Sequence, residues 1–444
     1  MIGLKSNLLS NMEMIAKENN TVIKTVKKFI DRIDLCSYEF LFSDERRNEL
    51  NDRFDSILFP TSRSENWKYT RTTKITNANY KLQSTHSIDP LAIEEFLIDG
   101  VSGSVLVFVN GFYDLDLSII IPESGVSISP IHRVDKEWFD LNTSVSVDET
   151  DHSFTALNTF LATNGAAIEI SKATCSNNTI QLLFISTGEK VISNIRNSFV
   201  INEGASAHVV MNFASIQSDG CFSSIVSEVQ LAANSNFTID KIQQLNNSDF
   251  QIAVEQINQD KDAVFTLNTS TISGAIIRND VNVLVEGVNS ETNLYGVYVL
   301  NEIQHVDNHT VVDHKVAHCL SNELYKGVLK NASTAVFNGK VFVRKDAQKT
   351  NAFQSNATVL LSDDSTMNSK PELEIYADDV KCSHGSTTGQ LDDEAIFYLT
   401  TRGISLLAAK QLLVDAFMDE ALTKTKNEYV LDYIRSLLAR KQTT

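Results

Sequence analysis

Hydrophobic and polar residues follow three different patterns along the chain. In residues 22–33 apolar side chains recur at the spacing of a helix, and a second, highly charged segment covers residues 44–58. From about Val101, short runs rich in β-branched residues alternate with Asn, Ser, Gly and Asp, and helical spacing returns after Gln390. The patterns predict an N-terminal helical region at residues 1–95, a β-rich core at 96–386 and a C-terminal helical domain at 387–444.

Turn-forming groups in the β-rich core recur about every 30 residues, which is the range of stacked structural repeats. Four of them are Asn202-Glu-Gly204-Ala, Ala232-Ala-Asn234-Ser, Gln259-Asp-Lys-Asp262-Ala and Gly287-Val-Asn289-Ser. Strands at such intervals, without helical patterns between them, favour a mainly β fold built as a β-solenoid, with a β-sandwich as the alternative. Because the terminal coils of a solenoid expose unpaired edges, the helical flanks are candidate caps for its ends.

The C-terminal segment predicts three helices. Asp392, Asp393 and Glu394 stand in the first turn of one helix, where the helix dipole favours acids, and Gly403 is its stop signal. A second helix begins near Ser405, and a third follows residue 427. Their apolar residues are Leu406, Leu407, Leu412, Leu413, Phe417 and Met418 in the second helix, and Val430, Ile434, Leu437 and Leu438 in the third. We interpret both stripes first as core, although so leucine-rich a unit is also a candidate docking surface.

Composition and charge narrow the functional classes. The formal charge of −18 over 444 residues argues against nucleic acid or an anionic membrane as the main partner. Residues 1–20 lack the apolar core of a signal peptide, and no apolar run reaches the length of a membrane span. Five widely spaced cysteines, an odd number, indicate reduced thiols. We therefore predict a cytoplasmic protein without a nucleic-acid or membrane partner.

One stretch near the end of the core combines two types of metal ligand. Apolar and polar residues alternate after Pro371 with the period of a half-buried strand. If that strand continues, Cys382 and His384 project from one face, because residues i and i+2 of a strand point the same way. A thiolate and an imidazole side by side suit iron or zinc. A bare Cys-x-His is nevertheless a weak signal, since cysteines are often buried and inert.

A second group of candidate ligands lies at residues 305–319, which contain four of the nine histidines and one cysteine. As a strand, this segment would place His305, Asp307 and His309 on one face, like a row of metal ligands. The alternative is a polar face of the solenoid with hydrogen-bonded ladders. Ser321 lacks the elbow motif of a nucleophile. The chain also contains no phosphate-binding motif, so any ATP would be bound by another subunit.

Several motifs together resemble successive signatures of the SufB/SufD family, over about residues 60–440. The matching segments are Arg63-Ser-Glu65-Asn-Trp67-Lys-Tyr69-Thr, Phe108-Val-Asn110-Gly111, Phe154-Thr-Ala-Leu157-Asn158, Ser321-Asn-Glu-Leu-Tyr325-Lys326-Gly327, Phe337-Asn-Gly339-Lys, Ala347-Gln-Lys-Thr350, Leu360-Leu361-Ser362 and the stretch from Pro371 to Gln390. Around Cys382-Ser-His384-Gly the chain resembles SufD more than SufB, since SufB chains carry a Glu-His-Glu-Ala-Thr-Thr-Ser-Lys type of sequence there.

The resemblance implies a non-catalytic subunit of the SUF iron–sulfur cluster assembly complex, with a right-handed parallel β-helix between helical ends. It implies a SufB-like partner at the β-helix end and a SufC-like ATPase at the C-terminal helices. Cys382 and His384 occupy the positions of a pair that is proposed in that family to hold one side of a nascent cluster, so they are our candidate metal and cofactor-binding residues.

The same resemblance implies that the isolated chain holds no stable cofactor, and that an iron–sulfur cluster is present only transiently in the complex. The sequence leaves open whether a flavin binds and whether the isolated chain forms a homodimer. Two enzyme hypotheses are the alternatives to a scaffold. One is a polysaccharide-active β-helix enzyme, which an export signal and a concentrated acid–base row would support, and the chain shows neither. The other is a metal enzyme that uses His305, His309 and His314.

Overall fold

A computed structural model of the protein describes residues 23–33, 39–83, 88–143 and 153–443. Residues 1–20, in which no signal peptide is predicted, and Cys36 lie outside the described residues. None of the helices in these ranges has the length and apolar character that crossing a membrane requires.

Nearly all of the strands belong to successive turns of one repeating structure. In chain order they are β1 (Val105–Val109), β2 (Phe112–Ile119), β3 (Val126–Pro130), β4 (Ala166–Ile170), β5 (Ile180–Glu189), β6 (Ile192–Ile201), β7 (Ser206–Asp219), β8 (Phe222–Leu231), β9 (Asn236–Gln244), β10 (Phe250–Gln259), β11 (Val264–Ser273), β12 (Ile276–Val285), β13 (Glu291–Leu300), β14 (His305–His314), β15 (Leu320–Leu329), β16 (Thr334–Val343), β17 (Asn351–Leu360), β18 (Thr366–Ile375) and β19 (Lys381–Gly389). They build the predicted β-solenoid, with about eight turns.

The chain alternates between two facing sheets. The ten-stranded sheet has the order β19-β17-β15-β13-β11-β9-β7-β5-β1-β2, and the nine-stranded sheet has the order β18-β16-β14-β12-β10-β8-β6-β4-β3. Pairing is parallel except at the N-terminal end, where β1 with β2 and β3 with β4 are antiparallel. His305 pairs with Ile276 in the preceding turn and with Thr334 in the next, so a turn takes 29 residues there. The predicted repeat of about 30 residues is confirmed.

The predicted turn groups mark the corners between the two sheets. Gly204, Asn234, Asp262 and Asn289 all have positive φ, between 57° and 66°. This left-handed conformation costs glycine nothing and asparagine or aspartate little, because a short polar side chain can hydrogen-bond locally. One such residue in each repeat lets the chain leave one sheet and enter the other.

The space between the sheets changes character along the solenoid. In the first turns it is filled by stacked rings, with the Phe184 centroid 5.1 Å from that of Phe108 and 4.7 Å from that of Phe213. Further along, buried polar side chains enter the interior. The Lys241 ammonium lies 2.7 Å from the Glu255 carboxylate, and both side chains are almost fully buried. An ion pair removed from water in this way needs both partners.

Most of the helices lie against the outer faces of the sheets. They are α1 (Val26–Ile30), α2 (Asp44–Arg53), α3 (Thr73–Thr76), α4 (Lys136–Asn142), α5 (Ser153–Leu161), α6 (Asp393–Thr401), α7 (Leu406–Leu422) and α8 (Glu428–Thr443). Ser405 caps α7 by accepting a hydrogen bond from the Ala408 amide, as its position before the helix predicts. The predicted boundary after residue 386 falls inside β19, and the first C-terminal helix begins seven residues later at Asp393.

Neither helical region caps an end of the solenoid among the described residues, in contrast to the candidate role from the sequence. The N-terminal segments pack on the outer face of the nine-stranded sheet, around Ile192 and Phe222. Helices α7 and α8 pack on the outer face of the ten-stranded sheet, around Val210 and Ile242. These outer faces are apolar and need cover. Within the part of the chain that the structure describes, the last strands, β18 and β19, each keep one unpaired edge.

Candidate functional site

The last turn of the solenoid presents the predicted Cys-x-His pair. Strand β19 pairs in parallel with β17, with Cys382 opposite Ala352 and His384 opposite Gln354. Ala352 and Gln354 are buried, so all four side chains lie on the interior side of the ten-stranded sheet. Cys382 and His384 therefore share one face, as the period of a strand predicts.

The expectation of one continuous strand from Pro371 to His384 is wrong. Strand β18 ends at Ile375 in one sheet, and β19 begins at Lys381 in the other. The turn between them is fastened to the preceding turn, where the Asp379 amide donates to Gln348 Oε1 at 2.9 Å and Lys349 forms an ion pair with Asp379. This anchoring redirects the chain, which local alternation of side chains does not reveal.

The two candidate ligands have different surroundings. Cys382 is half-buried against an apolar cluster that includes Val341, Val343 and Ala352. This burial raises the pKa of the Cys382 thiol, so the thiol stays protonated at neutral pH until a cation stabilises the thiolate. His384 is exposed, because no further turn among the described residues covers the interior face of β19.

Two buried polar residues beneath His384 were not identified from the sequence. Gln354 in β17 and Glu323 in β15 occupy the same register position as His384, one and two turns before it, respectively. Both point into the interior and are at most 3% exposed. Neither belongs to a chemical motif. The signal that finds them is the repeat itself, once the strands are aligned turn by turn.

The predicted row of His305, Asp307 and His309 does form on one face of β14. The guanidinium of Arg278, however, takes the place that a metal ion would need. The Arg278 Nη1 lies 2.6 Å from Asp307 Oδ2 and 3.1 Å from His309 Nε2, while its guanidinium stacks 3.8 Å from the centre of the Trp67 ring. Burial favours the neutral acid, yet His309 and Arg278 together lower the pKa of Asp307. The row thus fixes Trp67 and its segment onto the nine-stranded sheet.

The proposed three-histidine metal centre is wrong. His305 and His309 lie on the outer face of β14, whereas His314 is fully buried on the inner side and hydrogen-bonds to the Ser321 hydroxyl at 2.9 Å. Even-numbered and odd-numbered residues of one strand point to opposite faces, so the three rings cannot meet. Within residues 23–33, 39–83, 88–143 and 153–443, no group of three or more His, Cys, Asp or Glu side chains could hold a metal ion.

The C-terminal helices expose much of their apolar surface. Val430, Ile434, Leu437 and Leu438 of α8 are buried on the sheet, as predicted. In α7, however, Leu406, Leu407 and Leu412 are exposed, by 56%, 80% and 49%, so their interpretation as core is wrong. Of the predicted residues of α7, Met418 is buried against the sheet and Phe417 packs beside it, and Val414, which was not predicted, is buried with them. Phe397 and Tyr398 of α6 add to the exposed surface.

Two family models cover most of the chain. Residues 17–182 match the SufBD protein N-terminal region, and residues 184–417 match the model described as SUF system FeS cluster assembly, SufBD core domain. An iron–sulfur cluster assembly SufBD family protein of Synechocystis is 29% identical over 85% of this chain and 86% of its own length. The iron–sulfur cluster assembly protein SufD of Escherichia coli is 30% identical over 83% of this chain and 86% of its own length. The SufD protein of Bacillus subtilis is 25% identical over 83% of this chain and 89% of its own length.

Proposed function

Because the chain belongs to the SufBD family of the SUF system for iron–sulfur cluster assembly, we propose that it is a non-catalytic, SufD-type scaffold subunit of a cluster assembly complex. The observation that carries the proposal is the position of Cys382 and His384 on the inner face of a last turn that no described helix covers. The complex works in the cytoplasm, where thiols stay reduced.

The last turn supplies half of a cluster site. An iron–sulfur cluster takes about four protein ligands, and the pair Cys382 and His384 offers two. The unpaired edges of β18 and β19 can accept the strands of a second subunit by β-augmentation. A SufB-type subunit that docks there would bring its own ligands to the same place. The cluster is then a transient cargo of the interface, and separation of the two subunits releases it.

The exposed apolar surface of α6 and α7 is the proposed docking site for a SufC-type ATPase. It includes Phe397, Leu407 and Leu412, and it borders a groove that also contains Gln411 and Arg435. An exposed apolar surface of this kind is typical of a protein interface. Since the chain carries no phosphate-binding motif, the ATPase would supply the nucleotide chemistry and act on the scaffold through these helices.

Cluster loading tests the half-site. The complex of this chain with its SufB-type and SufC-type partners is purified, reconstituted with iron and sulfide without oxygen, and analysed for bound iron, sulfide and charge-transfer absorption. His384→Ala and Cys382→Ser are expected to lose most of the bound cluster while the subunits remain associated. The matched controls are His318→Ala and Cys175→Ser, which change exposed residues outside the last turn. Wild-type loading in both site variants would refute the assignment.

Co-purification tests the docking surface separately. Leu407→Asp places a charge on the exposed face of α7 and is expected to abolish capture of the ATPase without loss of the SufB-type subunit. The control is Leu141→Asp, which changes an equally exposed leucine of α4. Equal capture by both variants would show that the ATPase binds elsewhere.

A further inference from the structure

Three polar layers stack beneath the open end of the solenoid. In the ten-stranded sheet His384, Gln354 and Glu323 are register partners on successive strands. The facing positions in the nine-stranded sheet are Gly339, at the level of β16, and Thr310, at the level of β14. In-register side chains on neighbouring parallel strands stand next to each other. The imidazole of His384 is therefore the top of a polar column inside the solenoid.

Gln354 reaches across the interior because the facing residue has no side chain. A β-carbon at Gly339 would overlap the Gln354 carboxamide, with its Nε2 as the nearest atom. The backbone of Gly339 does not adopt the left-handed conformation that would require glycine. The absence of a side chain at this position therefore serves to make room for the carboxamide.

The column contains buried polar atoms without partners. Thr310 donates a hydrogen bond of 2.5 Å to Glu323 Oε2. By contrast, Glu323 Oε1 and both the Oε1 and Nε2 of Gln354 make no hydrogen bond within the part of the chain that the structure describes. A buried donor or acceptor left unpaired costs about 1–3 kcal/mol. Three such atoms in adjacent layers therefore indicate hydrogen bonds that form between these layers.

Glu323 forms the lowest layer of the column, and its carboxylate can accept a hydrogen bond from Gln354 in the layer above. Burial raises the pKa of Glu323 to about 7, although the hydrogen bond from Thr310 and the nearby Gln354 carboxamide favour the charged form. When ionised, the carboxylate accepts hydrogen bonds only. The Gln354 amide group lies beside it and has two N–H donors to offer, which leaves the Gln354 carbonyl oxygen for the layer above.

We propose that Gln354 is a positioning residue for His384: its Oε1 accepts a hydrogen bond from one ring nitrogen of His384, while its Nε2 donates to Glu323. The significance of this bond rests on the proposed function, in which His384 is a ligand. A histidine that binds a metal through one nitrogen generally donates its other N–H to a fixed acceptor, which sets the tautomer and the ring orientation. Gln354 would hold the protonated nitrogen inward and leave the other nitrogen facing the partner subunit.

Cys382, unlike His384, has no polar residue beneath it in the preceding turn. Its register partner is Ala352, and its neighbours Val341 and Val343 are apolar. A buried carboxamide is a costly choice in a solenoid core, and the column places it beneath the histidine alone. Imidazole needs orientation because its two nitrogens differ, whereas a thiolate presents one sulfur atom in any rotation about its bond.

Nitrogen NMR of the histidine rings tests the proposal on the full chain without metal. With ¹⁵N-histidine labelling, two-bond proton–nitrogen correlations report the tautomer of each ring, and the His384→Gln variant identifies the His384 signals. At a fixed, slightly alkaline pH the wild type is expected to show one dominant tautomer of His384. Gln354→Leu is expected to give a mixture of both, while the control Gln256→Leu, on the outer side of β10, leaves the spectrum unchanged.

Gly339→Ala provides an independent route to the same result, because the added methyl group displaces the Gln354 carboxamide without a substitution at Gln354. Because the methyl group would also approach the tip of the buried Phe337 ring, a thermal melt of this variant checks that its fold persists. A single unchanged tautomer of His384 in both Gln354→Leu and Gly339→Ala would overturn the proposal.

Cluster loading of the complex separates this proposal from the proposed function. Gln354→Leu is expected to weaken iron retention about 10-fold or more, which is the usual effect of losing such a partner. If His384→Ala abolishes loading but Gln354→Leu alters neither tautomer nor loading, Gln354 has no positioning role. If the tautomer responds to Gln354 while His384→Ala loads normally, the hydrogen bond stands and the proposed half-site fails.

Discussion

The buried ion pair between Lys241 and Glu255 leads to a quantitative prediction about the free energy of unfolding. The two side chains face each other across the interior, 2.7 Å apart and at most 1% exposed. Glu255 Oε2 has no hydrogen bond within the described residues. Replacing Lys241 by Met keeps most of the length of the side chain but removes its charge, so the Glu255 carboxylate is left buried without a counter-ion.

Loss of one partner from a buried pair costs about 3–5 kcal/mol, mostly because the remaining charge cannot return to water. We expect this loss in the free energy of unfolding for Lys241→Met, and a similar loss for Glu255→Leu. The double variant removes both charges and replaces them by apolar groups of similar size. It is expected to lie within about 1 kcal/mol of the wild type, because such replacements are often neutral or stabilising.

Urea unfolding of the four proteins measures these values. With a slope of about 3 kcal/mol per molar urea, the single variants shift the midpoint by roughly 1 M or more, and the double variant restores it. Lys315→Met is the matched control, because Lys315 and Glu286 are also 2.7 Å apart but largely exposed. Exposed pairs contribute about 0–1 kcal/mol, so the control should unfold nearly like the wild type.

Two results would refute this reasoning. If the double variant is as unstable as the sum of the two single variants, the polar groups do not act as a pair, and each stabilises the interior through other contacts. If Lys241→Met unfolds like Lys315→Met, water reaches the Glu255 carboxylate and the interior is not dry at this level.

Three further predictions concern other parts of the molecule. Gly327→Ala is expected to cost at least about 2 kcal/mol, because its β-carbon would overlap the Tyr298 ring, whereas Gly385→Ala, which has open space, is near neutral in thermal melts. Because burial raises the pKa of Glu323 to about 7 from a usual 4.5, the folded chain holds a proton that the unfolded chain releases. Stability should therefore fall between about pH 4.5 and 7, and less so in Glu323→Gln. Trp67→Ala removes the ring stacked on a buried guanidinium and should make the N-terminal segments sensitive to limited proteolysis, while an unchanged digest would contradict that anchoring role.

Much of the architecture was predictable because it repeats. Asn234 and Asp262 recur at the corners of the solenoid, and residues that tolerate the left-handed conformation at a fixed interval are visible in any single sequence. The common face of Cys382 and His384 follows in the same way from the two-residue period of a strand.

Features that depend on distant contacts were not predictable. Trp67 and Arg278 meet through the fold alone, so nothing near either residue indicates that Arg278 fills the apparent metal row. The break before β19 depends on Asp379 contacting the preceding turn. For α7, helical periodicity cannot choose between Leu407 and Val414 as the buried face, because only the shape of the sheet beneath decides which of them packs.

The two ends of the solenoid differ in strand direction, which would limit the size of the assembly proposed above. At the C-terminal end both sheets stop in parallel strands, whereas at the N-terminal end β2 and β3 run antiparallel to their neighbours, and the pairing of β2 is irregular. Head-to-tail stacking would have to join a parallel edge to a reversed one, which breaks the repeat. In the complex proposed above the chain would act, in the terms of polymer chemistry, as a monofunctional monomer, because one partner subunit at its C-terminal end would leave no second end for growth. A solenoid with two equivalent ends would instead continue into a filament.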